Sequence, residues 1–315
     1  MKELNLLNLL NLEFPLGQDN ILSFSRTAPH RYKTYEILKK DGISTRKIAQ
    51  PSKEVKLLQR SAIKILESNF PVHYSAFAYV KNRSIKQNAI IHQNSNYIFK
   101  TDLSNFFNSI TPLIFLEKIK QNNIILSDKN SQLITHLFFW KENRNDSLKL
   151  SIGAPSSPFI SNFIMFNFDE KILEICKKHN CEYSRYADDI TISSRNNFFE
   201  LNFTSIITAL LNEEFKGNIK LNTKKTKYIS KAYHRNITGI TITNDHNISI
   251  GHRKKRLLSA KIHHFKNNKI KNQSDILKLK GELAFAFYIM PHLREKFENK
   301  YGNDTILQIL KFKTD

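Results

Sequence analysis

The segment Cys181-Glu182-Tyr183-Ser184-Arg185-Tyr186-Ala187-Asp188-Asp189-Ile190-Thr191-Ile192-Ser193 holds an alternating run on either side of an aspartate pair. Alternation of that kind reads as two strands, which puts Asp188 and Asp189 in or beside a hairpin turn. Two adjacent carboxylates at a tight turn are well placed to hold hard divalent cations such as Mg²⁺. Two-metal sites built this way drive in-line phosphoryl transfer in polymerases and nucleases. An ordinary hairpin turn can carry the same residues, Tyr186 to Asp189, so the decision falls to the rest of the chain.

Working outward, Tyr97-Ile98-Phe99-Lys100-Thr101-Asp102-Leu103 is an apolar strand ending in a third carboxylate. Paired beside the hairpin, it would bring Asp102 next to Asp188. Asp102 equally suits the N-cap of a helix starting near Ser104, and both roles stay open at this level. Upstream, Arg31 to Ala49 reads as a hairpin turning at Lys40-Asp41-Gly42. Ser52 caps a helix whose apolar positions are Val55, Leu58, Ala62, Ile65 and Leu66. Ser84-Ile85-Lys86-Gln87 is a capping box that opens a short helix through His92. Thr111-Pro112 starts a helix to about Gln121, another covers about 128–140, and Ser156 to Lys178 reads as one long, partly apolar helix. After the aspartates come a helix at about 197–215 and short strands at 219–232, 237–243 and 247–250. From about 252 the chain turns strongly basic and helical. The pattern is α+β, with strands gathered around the aspartates, a helical tail, and a boundary near 250.

The chain has 315 residues and a formal net charge of +21. That length allows about two domains, or one with an appendage, and supports a sizeable core. The charge favours a polyanionic partner, nucleic acid first and an anionic membrane surface second. No apolar stretch approaches the roughly 20 residues needed to span a bilayer, which argues against a membrane role. The opening Leu4 to Leu12 is broken by asparagines and reads as a short amphipathic helix rather than a signal peptide. Cys176 and Cys181, without paired histidine spacing, make neither a zinc site nor a disulfide framework. A cytoplasmic protein without disulfides is expected.

Asp102 with Phe106-Phe107, Gly153-Ala154-Pro155-Ser156-Ser157-Pro158, Tyr186-Ala187-Asp188-Asp189, and Asn222 with Lys225-Thr226 stand in the order of the reverse transcriptase motifs. Asn88-Ala89-Ile90-Ile91-His92, Ile237-Thr238-Gly239 and Arg46-Lys47-Ile48-Ala49-Gln50-Pro51 narrow the match. Over about residues 30–270 the chain resembles the retron reverse transcriptases of bacteria. The resemblance implies a right-hand-like polymerase, with fingers and palm over 1–250 and a helical, basic thumb over 251–315. Its palm would be an antiparallel sheet backed by helices.

The resemblance also implies roles for individual residues. Asp102, Asp188 and Asp189 would be the catalytic carboxylates. Asp102, Leu103, Asp188 and Asp189 would bind two Mg²⁺ ions, with Mn²⁺ as the alternative, and Asp102 and Asp188 would be the direct ligands. Phe107 falls where the family places an aromatic against the incoming sugar, and a flat ring there would clash with a 2′-hydroxyl. Plain core packing is the other reading for one of the Phe106-Phe107 pair. Arg46 would reach the triphosphate as a fork donor and Lys225 the leaving phosphate, although solvated surface cations would look the same. Gly153 and Ala154 would allow close backbone approach at the nucleotide site, small residues being what permits it. Ile152 stands where the family commonly has Gln, and Asn105 where some members carry a further acid. The expected RNA contacts are Asn88, His92, Thr238, Gly239, Arg253, Lys254, Lys255, Arg256 and Lys261. Asn88 and His92 lie one helical turn apart on one face, and a polar helix cap packed on the fingers is the competing reading for them.

By the same resemblance, the chain would be an RNA-directed DNA polymerase. It would use dNTPs to copy part of a cognate structured non-coding RNA (msr-msd) into single-stranded, RNA-linked DNA (msDNA). Priming would come from a guanosine 2′-hydroxyl of that RNA. A separately encoded effector protein would complete an anti-phage defence complex. The alternatives are a group II intron-like or diversity-generating reverse transcriptase, which the Asn88 to His92 segment argues against, and an RNA-binding scaffold restraining a toxin effector, which the intact aspartates argue against. No ribonuclease H, endonuclease or maturase segment is recognisable, so removal of template RNA is expected to fall to a host enzyme.

Overall fold

The computed structural model describes residues 2–39 and 42–313. Strand β1 (Lys2–Glu3) and helices α1 (Leu6–Glu13) and α2 (Gln18–Thr27) precede the hairpin of β2 (Tyr32–Leu38) and β3 (Thr45–Pro51). Of the expected hairpin turn, Lys40 and Asp41 lie outside the described residues. There follow α3 (Lys53–Leu66), α4 (Ile85–Ile91), β4 (Tyr97–Ser104), α5 (Phe106–Ser109), α6 (Pro112–Gln121), β5 (Ile124–Ile125) and α7 (Asp128–Phe138). Next come α8 (Ser156–Ile164), α9 (Phe166–Lys178), β6 (Glu182–Tyr186), β7 (Asp189–Ser194), α10 (Phe203–Phe215), β8 (Lys220–Leu221) and β9 (Lys227–Ile229). The chain closes with β10 (Arg235–Ile237), β11 (Ile240–Ile242), β12 (Ile248–Ser249), α11 (His252–Lys266), α12 (Gln273–Ile289), α13 (His292–Tyr301) and α14 (Asn303–Lys311).

Local chemistry accounts for most of these boundaries. The Ser52 and Ser84 hydroxyls accept from the backbone N–H of Val55 and Gln87, each satisfying a donor that the first helical turn leaves open. The single helix expected over 156–178 is instead two, separated at Met165. The helix after the aspartates starts at Phe203 rather than near 197, where the Asn202 side chain accepts from the Ser205 N–H. Helix α2, which opens from Gly17 at φ 87°, has no counterpart in the sequence reading.

The palm is an antiparallel sheet in the order β6-β7-β4-β8, with β9 also pairing with β4. Because side chains alternate across a strand, β4 sends Phe99 and Leu103 to one face and Ile98, Lys100 and Asp102 to the other. On the back face, Phe99, Leu103, Tyr183, Ile190 and Ile192 join Phe163, Phe168, Ile172, Phe203 and Ile207 of α8–α10 in the larger hydrophobic core. That core continues through α1, α3, α6 and α7. On the front face, Ile98 enters a second core with Ala89 of α4, Ile237, Ile240 and Ile242 of β10–β11, and the helices α11–α14. The thumb core therefore takes in residues upstream of 250. The architecture is that of a right-hand polymerase: β2–β3 as fingers, the helix-backed sheet as palm, and the C-terminal helices as thumb.

Candidate active site

The register decides where the carboxylates go. In the β4–β7 ladder Asp102 is the partner of Asp189. In the β6–β7 ladder Tyr186 is the partner of Asp189, so Ala187 and Asp188 form a two-residue hairpin turn. The Leu103 N–H donates to the Asp188 carbonyl at 3.1 Å and the Asn222 N–H to the Asp102 carbonyl at 2.8 Å, locking the turn to the end of β4. Three carboxylates thus meet at one end of the palm, and Asp102 is a strand residue rather than a helix cap. The Leu103 side chain is buried, which leaves its backbone carbonyl as the atom it could offer an ion.

Charge is concentrated there. Burial, then the neighbouring charges of Asp189 and Asp102, push the Asp188 carboxyl above its ordinary range, while Arg46 pulls it down. The exposed Arg46 of β3 is therefore close enough for its charge to be felt at Asp188. Lys225 Nζ lies 2.6 Å from Asp102 Oδ2. The other carboxylate oxygen, Asp102 Oδ1, is buried and has no hydrogen-bond partner. Although the three carboxylates share this end of the palm, no three acidic, histidine or cysteine groups among the described residues stand close enough to cage an ion by themselves. A hard cation nevertheless fits, because Mg²⁺ is commonly held by one or two carboxylates together with substrate phosphates. Asp102, with its orphaned oxygen, and Asp188, crowded by like charge, are the two carboxylates that would hold it.

The turn is supported from the back of the sheet. Ala187 sits at φ 57°, unusual for a residue with a side chain. Its carbonyl accepts from Arg185 Nη1 at 3.0 Å. Arg185 is fully buried, and Asp169 of α9 receives its Nε at 2.8 Å and its Nη2 at 2.7 Å. The Tyr183 hydroxyl donates to Asp169 Oδ1 at 2.6 Å, and Asn162 Oδ1 accepts from Arg185 Nη1 at 3.2 Å. Burial works against the Arg185 charge, but Asp169 outweighs it and holds the guanidinium above its ordinary pKa. The sequence reading missed this network. Its trace was an arginine and an aspartate at core positions of a strand and a helix, a placement that requires a partner.

A hollow of about 390 Å³ is lined among others by Lys56, Arg60, Tyr79, Phe107, Ile152 and Ala154, and the Asp188 charge is felt at its Tyr79. Phe106 is buried in the core, and Phe107, partly buried against that core, also lines the hollow. The Ile152 carbonyl accepts from the Ala49 N–H at 2.9 Å. A Cβ on Gly153 would stand 2.9 Å from the Ala49 carbonyl oxygen, so the glycine permits close approach of the fingers strand β3 to this loop.

Several expected RNA contacts lie elsewhere. Asn88 and His92 are buried, which corrects their assignment as direct RNA contacts. His92 Nδ1 lies 2.7 Å from the Ser193 hydroxyl and Nε2 2.7 Å from the Ser184 hydroxyl, bridging β7 and β6 on the front face. The pair packs on the palm, not on the fingers. Burial, with the charge of Lys100, pushes the imidazole down to about 3, so it is neutral in the fold. Lys261 is half-buried and bonded to Glu282 at 2.5 Å, turned into the thumb rather than presented to a backbone. Thr238 and Gly239 form the two-residue turn of the β10–β11 hairpin, both at positive φ, and Lys254 Nζ reaches the Gly239 carbonyl at 3.4 Å. Arg253, Lys254 and Arg256 are exposed along α11 and Lys255 is half-exposed.

The reverse transcriptase (RNA-dependent DNA polymerase) family profile matches residues 37–242, which contain the three carboxylates and the residues of the hollow. The chain belongs to the reverse transcriptase family. Among curated proteins, this reverse transcriptase is similar to the Retron Ec83 reverse transcriptase of Escherichia coli, at 42% identity over 93% of this chain and 94% of that protein. It is similar also to the Retron Ec73 reverse transcriptase of Escherichia coli, at 33% identity over 87% and 88% of the two chains. The retron group, read from Asn88 to His92 and Ile237 to Gly239, is the group to which it belongs. Its activity is RNA-directed DNA polymerisation. Among solved structures it is similar to telomerase from Candida albicans, with a TM-score of 0.49 and 11% identity, over 92% of this chain and 62% of that one. No helix among the described residues is long and apolar enough to cross a membrane.

Proposed function

We propose that this chain copies part of a cognate structured RNA into single-stranded DNA that remains linked to the RNA, primed from a 2′-hydroxyl of that RNA. The observation that carries the reading is the register of Asp102 on Asp189, which gathers three carboxylates at the palm end of a chain related to retron enzymes. Asp102 and Asp188, with the Leu103 carbonyl nearby, would hold two Mg²⁺ ions, or Mn²⁺, between themselves and the substrate phosphates; Asp189 completes the local charge. Bound divalent ions would supply a lowered pKa for the attacking hydroxyl and neutralise charge on the triphosphate and pyrophosphate.

The protein's own residues do the rest. Arg46 engages the triphosphate as a planar fork donor. Lys225, two-thirds exposed, holds the Asp102 charge and is free to move to the leaving phosphate when an ion takes that place. The Phe107 ring meets the sugar and excludes a 2′-hydroxyl. Gly153 and Ala154 keep the floor of the nucleotide site low. Arg253, Lys254, Lys255 and Arg256 line the thumb helix and track the backbone of the RNA–DNA duplex. The complex acts in anti-phage defence together with an effector protein, as its retron kinship suggests.

The test is to purify the protein from its host and sequence the nucleic acid that comes with it, before and after treatment with a debranching enzyme. A DNA that stays joined to RNA until the 2′,5′ bond is cut is the expected result. The paired Asp188→Asn, Asp189→Asn variant should retain the RNA and lose the DNA. DNA made by that variant would remove the site assignment.

A further inference from the structure

Tyr79 was singled out by no motif, yet it stands at the entrance to the active site. It is 58% exposed and adopts φ 62°, a left-handed conformation that an aromatic side chain rarely takes. Asn82, at φ 63° in the same loop, is a residue type that tolerates this region; Tyr79 is not. Such residues persist only where the surroundings fix them, and they cluster at ligand-binding sites.

The surroundings do fix this one. Arg83 Nη1 donates to the carbonyls of His73 at 3.0 Å, Tyr74 at 2.8 Å and Ala76 at 2.5 Å. The Phe77 N–H donates to the Arg185 carbonyl and the Arg185 N–H to the Ser75 carbonyl, both at 2.8 Å. Asn162 Nδ2 donates to the Ala78 carbonyl at 2.9 Å, from the same side chain whose oxygen receives Arg185. The loop that carries Tyr79 is therefore tied to the strand that carries the catalytic turn. Out of that fixed loop the Tyr79 ring meets Phe107 edge-on, at 6.4 Å between centroids and 65° between planes. Both rings line the hollow of about 390 Å³ that Lys56, Arg60, Gly153 and Ala154 complete, a volume within the roughly 300–1,000 Å³ of small-molecule sites. Partial burial and the nearby Asp188 charge raise the phenol above its ordinary pKa, so it stays a hydrogen-bond donor at working pH.

We propose that Tyr79 is a specificity-determining residue of polymerisation: its ring is the second wall of the nucleotide pocket and holds Phe107 against the sugar of the incoming deoxynucleotide. The inference rests on the reading of Phe107 as the sugar-facing aromatic. Phe107 also meets Phe106 at 5.5 Å between centroids, but Phe106 is buried in the core. Tyr79 is the ring that meets Phe107 within the hollow, and without it the Phe107 ring could swing away from a 2′-hydroxyl.

The experiment is steady-state extension of an oligo(dT) primer on poly(rA), with dTTP and with UTP, by the full-length protein. Tyr79→Gly removes the ring and accepts the backbone conformation, so the fold is kept; its thermal midpoint should equal or exceed that of the unchanged protein. Its KM for dTTP should rise and its dTTP-over-UTP preference fall, each by about tenfold or more, the scale of a lost pocket contact. kcat for dTTP should change much less. Tyr79→Phe should keep the preference, because the ring remains. KM and preference both unchanged in Tyr79→Gly would overturn the proposal, and so would a Tyr79→Phe variant as impaired as Tyr79→Gly. Phe107→Ala, run alongside, distinguishes the two levels. If it extends the primer with full deoxynucleotide preference, the reading of Phe107 falls and the bracing role falls with it. If Phe107→Ala loses preference and Tyr79→Gly does not, only Tyr79 is wrongly assigned.

Discussion

Changing Asp169 to Asn removes one charge from a fully buried pair while keeping the side-chain shape. Arg185 would then be left charged in the core, having lost the carboxylate that receives its Nε and Nη2 at 2.8 and 2.7 Å. Breaking a buried pair from one side costs about 3–5 kcal/mol, a large part of the roughly 5–15 kcal/mol that holds a typical domain together. The thermal midpoint should fall by on the order of 10 °C. Replacing the network whole separates stability from positioning. In Arg185→Met with Asp169→Leu and Tyr183→Phe no charge or phenol is stranded, and apolar replacements of a buried pair are often neutral or stabilising. Urea unfolding should then recover to within about 2 kcal/mol of the unchanged protein. The Ala187 carbonyl, however, still lacks the Arg185 donor now 3.0 Å away, so the strained turn that carries Asp188 loses its support. Primer extension should therefore stay depressed in kcat although the fold is restored. Full activity in the triple variant would refute the argument that Arg185 positions the turn, and an Asp169→Asn cost below about 1 kcal/mol would refute the energetics.

Four further outcomes are expected. His92, held at about 3 in the fold, binds a proton in the unfolded chain near its ordinary 6.5, so stability is lost as pH falls through that window. Between pH 6.5 and 5 the loss is about 2 kcal/mol, and a His92→Gln variant followed by urea unfolding should lack that part of the slope. Asp188→Asn relieves a carboxylate that burial and its neighbours disfavour in charged form, so the metal-free protein should melt higher. It should also gain less from added Mg²⁺ than the unchanged chain and make no DNA, whereas an equal Mg²⁺ response would remove Asp188 from the ligand set. Gly153→Ala puts a Cβ 2.9 Å from the Ala49 carbonyl oxygen at φ 127° and should cost about 1–3 kcal/mol and raise KM for dNTP; an unchanged melting midpoint would contradict the close approach. RNA affinity should fall with salt at a log–log slope of roughly −4 to −9, as for 6–10 phosphate contacts, and a flat titration would remove the basic groove.

The sequence by itself determined what is local. Alternation, caps and turn residues gave the β6–β7 hairpin, the helix opened by Ser52 and the β4 strand ending at Asp102, because a strand period or a cap is settled within a few residues of itself. The ordered motifs then singled out Asp102, Asp188 and Asp189, gave Phe107 its expected place against the sugar, and identified the retron group. What the tertiary structure decided is which neighbour each polar side chain meets. Asn88 and His92 are polar and one turn apart, which suits an RNA contact; only the packing of α4 on the front of the palm buries both and turns His92 into a clamp on Ser184 and Ser193. Lys261 belongs to a basic helix, and only the fold of the thumb brings Glu282 to it. Lys225 meets Asp102 across a separation of 123 residues, and Asp169 meets Arg185 from a helix on the other side of the sheet. Tyr79 carries no signal in its sequence neighbourhood, because its backbone conformation is imposed by Arg83, Asn162 and the edge of β6. Burial and ion pairing are set by contacts between segments far apart in the chain, and a side chain's chemistry states what it can do but not which partner it will be given.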